Sequence, residues 1–305
     1  MTDRYAVIGN PISHSKSPQI HQMFAEQFRE TPAGDMVFED RILAPLGGFS
    51  ATIQRLRDEG YKGCSVTVPF KQEAASISWV ASLSASVGLA HTANTLHWNE
   101  YGELVADNTD GIGLVRDICD NLKFSLDKKR ILLLGAGGAA RGVLFPLMDQ
   151  NSHYHRPQQT PKLIVIANRT PSTATNTIDT ATQIINERDF RLIAASNLNK
   201  LETIQLLACD YSELTGQQFD LVINATSAGL TDSELPLPAT IFAPNALAYD
   251  MMYGRETPFM KFAREHGAQV ADGLGMLVEQ AAEAFYLWRG VRPDTAPVIA
   301  ALRLT

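Results

Sequence analysis

Residues Ile131-Leu132-Leu133-Leu134-Gly135-Ala136-Gly137-Gly138-Ala139-Ala140-Arg141 constrain the fold more than any other stretch. Four consecutive aliphatic residues read as a strand buried on both faces, as in a parallel sheet covered by helices. The run passes straight into a glycine turn and then a helical pattern. Gly135, Gly137 and Ala140 fill the three positions of a GxGxxG/A fingerprint. Gly135 permits the tight turn, Gly137 lets the backbone approach a pyrophosphate, and Ala140 lets the helix lie close to the sheet. The helix N-terminus supplies free N–H groups to the phosphates. A glycine turn that only packs is the plain alternative, and the strand–turn–helix context weighs against it. Pro146 should kink the helix near its middle.

Further continuous apolar runs at 163–167, 204–208, 221–224, 247–250 and 269–271 predict more strands of a doubly wound, Rossmann-type parallel sheet. The second strand ends at Asn168-Arg169-Thr170. A site selective for NAD usually has Asp or Glu there. Without that carboxylate nothing repels a 2′-phosphate, and Arg169 and Thr170 can donate to it, which favours NADP. The first third reads as a smaller α/β sheet. It has strands at 5–9, 36–43 and 64–68, helices at 18–28 and 46–59, and a hairpin of 94–98 with 104–107 across a turn-rich tetrapeptide. A helix at 111–124 leads into the second section, and helices at 273–288 and 295–303 close the chain. Segments 151–161 and 189–200 are polar and aperiodic, and read as surface insertions.

Composition excludes several classes. With 305 residues, 45% of them hydrophobic, the chain can bury two cores, and its formal net charge of −7 offers no basic face to nucleic acid. No apolar run spans a bilayer, and residues such as Asp3 and Arg4 leave no signal-type stretch, so a cytoplasmic protein with no membrane partner is expected. Cys64, Cys119 and Cys209 are far apart in sequence and read as buried thiols in a reducing compartment. His153 and His155 lack a nearby carboxylate, so no metal site is expected. Oligomeric state stays open, with a homodimer among the options.

Two polar segments in the first section carry more than packing. Ser13-His14-Ser15-Lys16-Ser17-Pro18 follows the first strand; Ser15 and Ser17 could bind a carboxylate or polyhydroxylated ligand, and Ser17 could cap the helix beginning at Pro18. Ser65-Val66-Thr67-Val68-Pro69-Phe70-Lys71 places Lys71 in the first turn of a helix, where its charge opposes the helix dipole. Such a local violation suggests a task for the side chain. Asp107-Asn108-Thr109-Asp110-Gly111 forms a polar junction before the glycine-turn section. A ligand cleft between the two domains is the expected place for chemistry, with Lys71 and Asp110 as an acid–base pair. A surface lysine and a helix-capping aspartate would be the reading of each alone.

These segments, together with Asn94-Thr95-Leu96, Asn224-Ala225-Thr226-Ser227, Tyr249-Asp250-Met251-Met252-Tyr253 and the run from Asp272 to Gln280, resemble the shikimate dehydrogenase family in sequence and in order along nearly the whole chain. The resemblance implies an N-terminal α/β substrate-binding domain at 1–110, completed by C-terminal helices within 276–305, and an NADP-binding Rossmann domain at 111–275. It implies reversible NADPH-dependent reduction of 3-dehydroshikimate to shikimate, in aromatic amino-acid biosynthesis. Ser15, Ser17, Thr67, Asn94, Asp110, Tyr253 and Gln280 would then hold the substrate, with Lys71 and Asp110 the catalytic pair. Gly135, Ala136, Gly137, Gly138, Ala139, Asn168, Arg169, Thr170, Met251 and Gly273 would contact the cofactor.

Three places depart from the family pattern: Ser65 stands where Asn is usual, His91-Thr92-Ala93 replaces Gly-Ala-Val, and Thr173 stands where many NADP-using members carry a second Arg. Two other readings remain. One is a quinate/shikimate dehydrogenase using NAD or both cofactors, which Thr173 favours and Arg169 disfavours. The other is a non-catalytic binding module, which would have no use for the Lys71–Asp110 pair.

Overall fold

The computed structural model of the chain describes residues 2–77, 79–148, 160–193 and 204–304. The chain divides into two compact units, Met1–Gly113 with Leu277–Thr305, and Leu114–Met276. No helix among the described residues is long and apolar enough to cross a membrane.

The first unit begins with β1 (Asp3–Gly9), α1 (Ser17–Gln27), β2 (Met36–Leu43), α2 (Phe49–Asp58), β3 (Gly63–Val66) and α3 (Lys71–Ala75). It continues through β4 (Val80–Leu83), α4 (Ala85–Ala90), β5 (Thr95–Trp98), β6 (Leu104–Asp107) and the start of α5 (Asp110–Arg116). The sheet order is β2-β1-β3-β5-β6-β4. β1 pairs in parallel with β2 and β3, and the β5–β6 hairpin is antiparallel, with Thr95 opposite Asp107 and Trp98 opposite Leu104. Asn99 shapes the hairpin turn: its side-chain oxygen accepts from the backbone N–H of Tyr101 at 3.0 Å and of Glu103 at 2.9 Å. One sheet face is filled by Phe49, Ile53, Leu56 and Phe70. Each such fully buried side chain is worth roughly 1.5–3 kcal/mol.

The second unit runs through a π-type turn (Asp117–Asn121), β7 (Arg130–Leu134), α6 (Gly138–Met148), β8 (Leu163–Ala167) and α7 (Pro171–Ile193). It is completed by β9 (Gln205–Cys209), β10 (Phe219–Asn224), β11 (Phe242–Asp250), α8 (Pro258–Glu265), β12 (Gln269–Ala271) and the first turn of α9 (Leu274–Arg289). Every strand pair is parallel, in the order β12-β11-β10-β7-β8-β9. The chain enters in the middle at β7, winds out to β9, then returns beside β7 at β10 and winds out the other way. The crevice at the carboxyl ends of β7 and β10, where the winding reverses, is the place such sheets bind ligands. Ile131, Leu132, Leu133 and Leu134 are all fully buried, as the apolar run predicts. Pro146 lies inside α6, in the last turn of Gly138–Met148 rather than near its middle.

The remainder of α9 and α10 (Ala296–Arg303) belong to the first unit. Phe285 and Trp288 of α9 meet Phe24 and His21 of α1. His21 is fully buried, its ring stacked on Phe38 at 4.3 Å, with neither ring nitrogen hydrogen-bonded.

Four expectations change. Ser17 does not cap α1: the helix starts at Ser17 itself, and Lys16 is the capping position, without a side-chain bond. Cys119 is only half-buried, unlike Cys64 and Cys209. α7 continues to Ile193, so the first part of the segment 189–200 is helical. The elements β4, α4 and α8 were not anticipated. Most of the segment 151–161, with His153 and His155, lies outside the described residues, as do 194–200.

Candidate active site

In the first unit the backbone gathers the polar motifs at the ends of β1, β3 and β5. The Thr67 N–H donates to the Ile8 carbonyl at 2.9 Å and that of Asn10 to Val68 at 3.1 Å, so the segments after β1 and β3 leave the sheet side by side. Val66 N–H donates to the Asn94 carbonyl at 2.7 Å, Asn94 N–H to Asp107 at 3.0 Å, and Ala93 N–H to Lys71 at 2.8 Å. Lys71, Asn94 and the loop after β6 are thereby brought together from separate parts of the chain.

Their side chains form one network. Lys71 Nζ donates to Asp110 Oδ2 at 2.6 Å, with the two side chains 29% and 17% exposed. They are therefore shielded yet reachable. Asn94, only 3% exposed, aims Nδ2 at Asp110 Oδ1 (2.8 Å), Thr109 Oγ1 (3.0 Å) and Gln280 Oε1 (3.1 Å). Its Oδ1 accepts from the Thr109 N–H at 2.9 Å and the Thr95 hydroxyl at 2.9 Å. Asn108 donates to the carbonyl and hydroxyl of Thr92, and its own oxygen accepts from the Asp110 N–H at 3.1 Å. A buried network with this many partners is rigid, because each polar group left unmatched would cost about 1–3 kcal/mol. Burial pushes the Asp107 carboxyl upward, against the Ser84 hydroxyl, the Asn108 N–H and His97, which pull it down.

The expected substrate residues are distributed as follows. Lys71, Asn94, Asp110 and Gln280 are joined directly. Thr67 starts the segment that leads to Lys71. Ser15 and Ser17 share one turn, in which Ser15 Oγ accepts from the Ser17 N–H at 3.3 Å. That turn is anchored by Arg41, whose Nε and Nη2 both donate to the Ser15 carbonyl, at 3.1 and 3.0 Å. His14 is exposed. Tyr253 belongs to the second unit, where burial raises its phenol. Sequence reasoning assigned no role to Thr92, Asn108, Thr109 or Arg41. The first three lie in polar runs that flag them in hindsight; Arg41 sits on an edge strand and has no local signature.

In the second unit the glycine turn sits at the reversal crevice. Gly135 has φ +97°, and its N–H donates to the Ala167 carbonyl at 2.8 Å. A side chain there would be strained by that backbone and would also press on Thr226. Open space surrounds the position where Gly137 would carry a Cβ, whereas Ala140 is fully buried beneath the helix. A pyrophosphate fits this open backbone and the N-terminus of α6. Ala136, Gly138 and Ala139 complete the turn into α6. Beyond β8, Asn168 Nδ2 donates to the Thr170 carbonyl at 3.0 Å, and Arg169 and Thr170 are exposed. Arg169 lies close enough to Tyr211 to pull its phenol down against a larger upward push from burial. Thr173 brings no charge; its carbonyl accepts from Thr177 Oγ1 at 2.9 Å. Met251 and Gly273 adjoin: a Cβ on Gly273 would lie 2.3 Å from the Met251 carbonyl oxygen, so only glycine fits. Behind them Asp250, fully buried, accepts from Asn224 Nδ2 at 3.1 Å, from the Met252 N–H at 2.9 Å and from the Thr257 hydroxyl. The donor set therefore fits a dinucleotide with a charged group near its ribose.

Comparisons with known proteins bear on both units. A family model described as the shikimate dehydrogenase substrate binding domain matches residues 7–96, and one described as the shikimate 5′-dehydrogenase C-terminal domain matches residues 273–303. The chain is 51% identical over 302 residues to a shikimate dehydrogenase (NADP(+)) of Methylobacillus flagellatus, covering 99% of each. It is similar to the crystal structure of an Ael1 enzyme from Pseudomonas putida (44% identity, TM-score 0.79, 98% of each chain). It is also similar to shikimate 5-dehydrogenase from Thermus thermophilus solved with NADP(H) and shikimate (27% identity, TM-score 0.75, 99% of each chain).

Proposed function

Since the chain belongs to the shikimate dehydrogenase family, we propose that it catalyses the reversible NADPH-dependent reduction of 3-dehydroshikimate to shikimate, with Lys71 and Asp110 as its acid–base pair. The observation that carries this reading is the 2.6 Å Lys71–Asp110 contact, tied through Asn94 to Gln280 in one network. When bound, the nicotinamide supplies hydride to the ketone carbon and takes it back in the reverse direction. The alkoxide oxygen formed on the substrate then needs one proton. Lys71 Nζ gives that proton in reduction and takes it from the hydroxyl in oxidation. Asp110 holds the lysine head in place through Oδ2, while its Oδ1 is fixed by Asn94, so the pair needs no rearrangement before transfer. Ser15, Ser17, Thr67, Asn94, Tyr253 and Gln280 hold the substrate carboxylate and hydroxyls. The first unit is the substrate domain and the second binds NADP through the Gly135–Ala139 turn, Asn168, Arg169, Thr170, Met251 and Gly273. Three free cysteines, Cys64 among the fully buried groups, suit the cytoplasm.

Lys71→Ala should lower kcat by about 10²–10⁴-fold while shikimate affinity changes far less, because the ammonium matters most as the alkoxide forms. An unchanged kcat would overturn the assignment. Thr173 supports a second reading, weakened discrimination against NAD. Measuring kcat/KM for NADP+ and NAD+, with shikimate and with quinate, separates a strict NADP enzyme from a dual-cofactor quinate/shikimate dehydrogenase.

A further inference from the structure

The strap between α9 and α10 holds a charge cluster that the proposed reaction does not use. Glu279 and Glu283, on one face of α9, have side chains only 4% and 1% exposed. Arg292 reaches back from the strap and spans them: Nη2 donates to Glu279 Oε2, and Nη1 to Glu283 Oε2 at 2.7 Å. The Thr295 hydroxyl donates to the other Glu279 oxygen. The same strap is fastened to α1 by a reciprocal pair, Gln27 Nε2 to the Asp294 carbonyl and Asp294 N–H to Gln27 Oε1, both 2.8 Å. Asp294 Oδ1 also accepts from the Ala296 N–H at the start of α10. One short segment thus links the helix that follows the Ser15–Ser17 turn to the helix that carries Gln280.

The placement along α9 gives the cluster its meaning. At 3.6 residues per turn, Gln280 lies about 100° around the helix from Glu279 and about 60° from Glu283. Any roll of α9 that carries the two carboxylates toward water therefore swings Gln280 as well. Gln280 Oε1 meets Asn94 Nδ2 at 3.1 Å, and its Nε2 donates to the Leu277 carbonyl at 2.8 Å, so its aim depends on the helix backbone. Two carboxylates this deeply buried need a charged, multiply bonded counter-group, and the forked guanidinium presents a separate nitrogen to each, where a lysine would share one ammonium between them.

We propose that Arg292 is a positioning residue for substrate binding: by bridging Glu279 and Glu283 it fixes the rotation of α9 that aims Gln280 into the Lys71–Asn94–Asp110 network. This rests on that network being the shikimate site. It goes beyond it by assigning part of substrate affinity to a strap residue that touches none of the network.

The test is a kinetic cycle on the purified full-length chain, with shikimate and NADP+. Arg292→Met should raise KM for shikimate roughly tenfold, the order of one misdirected hydrogen bond, with a smaller change in kcat and none in KM for NADP+. In a Gln280→Ala background the same substitution should raise KM for shikimate less than twofold, because the group it aims is gone. Arg292→Lys, which keeps the charge and loses the fork, should fall between. Should Arg292→Met fail to fold, Arg292→Lys and Glu283→Gln carry the same cycle. An equal rise in KM with and without Gln280, or no rise at all, would show that the cluster only stabilises the helix and would overturn the proposal. If the unaltered chain does not oxidise shikimate, the functional reading falls, and this inference with it.

Discussion

His91 occupies φ 50° and ψ 33°, the left-handed position that ends α4. Side chains other than glycine meet their own backbone there, at a cost of roughly 1–2 kcal/mol, partly offset because glycine makes the unfolded chain more flexible. His91→Gly should therefore stabilise the protein by about 0.5–1 kcal/mol, read as a higher midpoint in chemical denaturation, and a lower midpoint would contradict this. A second histidine works in the opposite sense. Burial alone lowers His21 from 6.5 to about 3. The folded protein therefore refuses a proton that the unfolded chain accepts below pH 6.5. The stability that comes with a neutral His21 is complete above pH 6.5 and drains away as pH falls toward 3, by about 2 kcal/mol at pH 5. Denaturation of the wild type and of His21→Phe at pH 7 and pH 5 checks this: the wild type should lose that much more than the variant, and parallel losses would refute it. Neither effect is legible from sequence. His91 stands out only as a departure from an expected glycine, and His21 lies on the buried face of α1 with nothing in the sequence to mark it as enclosed by Phe38 and Trp288.

Elements differ in how openly the sequence announces them. β8 has the limits that its apolar run predicts, since a strand buried on both faces leaves an unbroken signature; β12 keeps its expected limits too, although it is an edge strand with Gln269 exposed. β4 is an edge strand with Ala81, Ser82 and Leu83 exposed, so neither burial nor alternation marks it. α4 is made of small residues that favour no period. α8 carries a local signature: Thr257 caps it, Pro258 starts it, and Phe259, Met260 and Ala263 form its buried stripe. The Thr257 hydroxyl both accepts from the Met260 N–H at 3.3 Å and donates to buried Asp250. Thr257→Ala removes a helix cap and a bond to an enclosed carboxylate together. A loss of about 2–3 kcal/mol is expected in urea or thermal unfolding; a change under 0.5 kcal/mol would mean that other groups hold α8 and Asp250. At the candidate site, Lys71 was legible because a lysine in a first helical turn breaks a local rule. Arg41 and Arg292 were not, because their partners are set by strand order and by the return of the last helices.

At the scale of the molecule the described residues form two sheets, each with polar motifs gathered at the ends of its strands, and each within its own unit. The proposed division of labour predicts separate footprints in hydrogen exchange. NADP+ should slow exchange in the turn after β7 and the segment 168–170, while shikimate should slow it at 15–17, 67–71 and 107–110, because a ligand stabilises what it contacts. A single common footprint for either ligand alone would refute that division. Doubly wound topology was legible from the alternation of apolar runs, but not the order β2-β1-β3-β5-β6-β4, which depends on long-range pairing that no local pattern records.

The second unit is one uninterrupted stretch, Leu114–Met276, whereas the first is assembled from residues before and after it. As the polypeptide emerges from the ribosome, the early-made helix α1 cannot acquire Phe285 and Trp288 against Phe24 and His21 until Leu277–Thr305 have been translated. The middle of the chain is thus free to fold while its opening residues still wait, reversing the usual order in which synthesis and folding proceed together from the N-terminus.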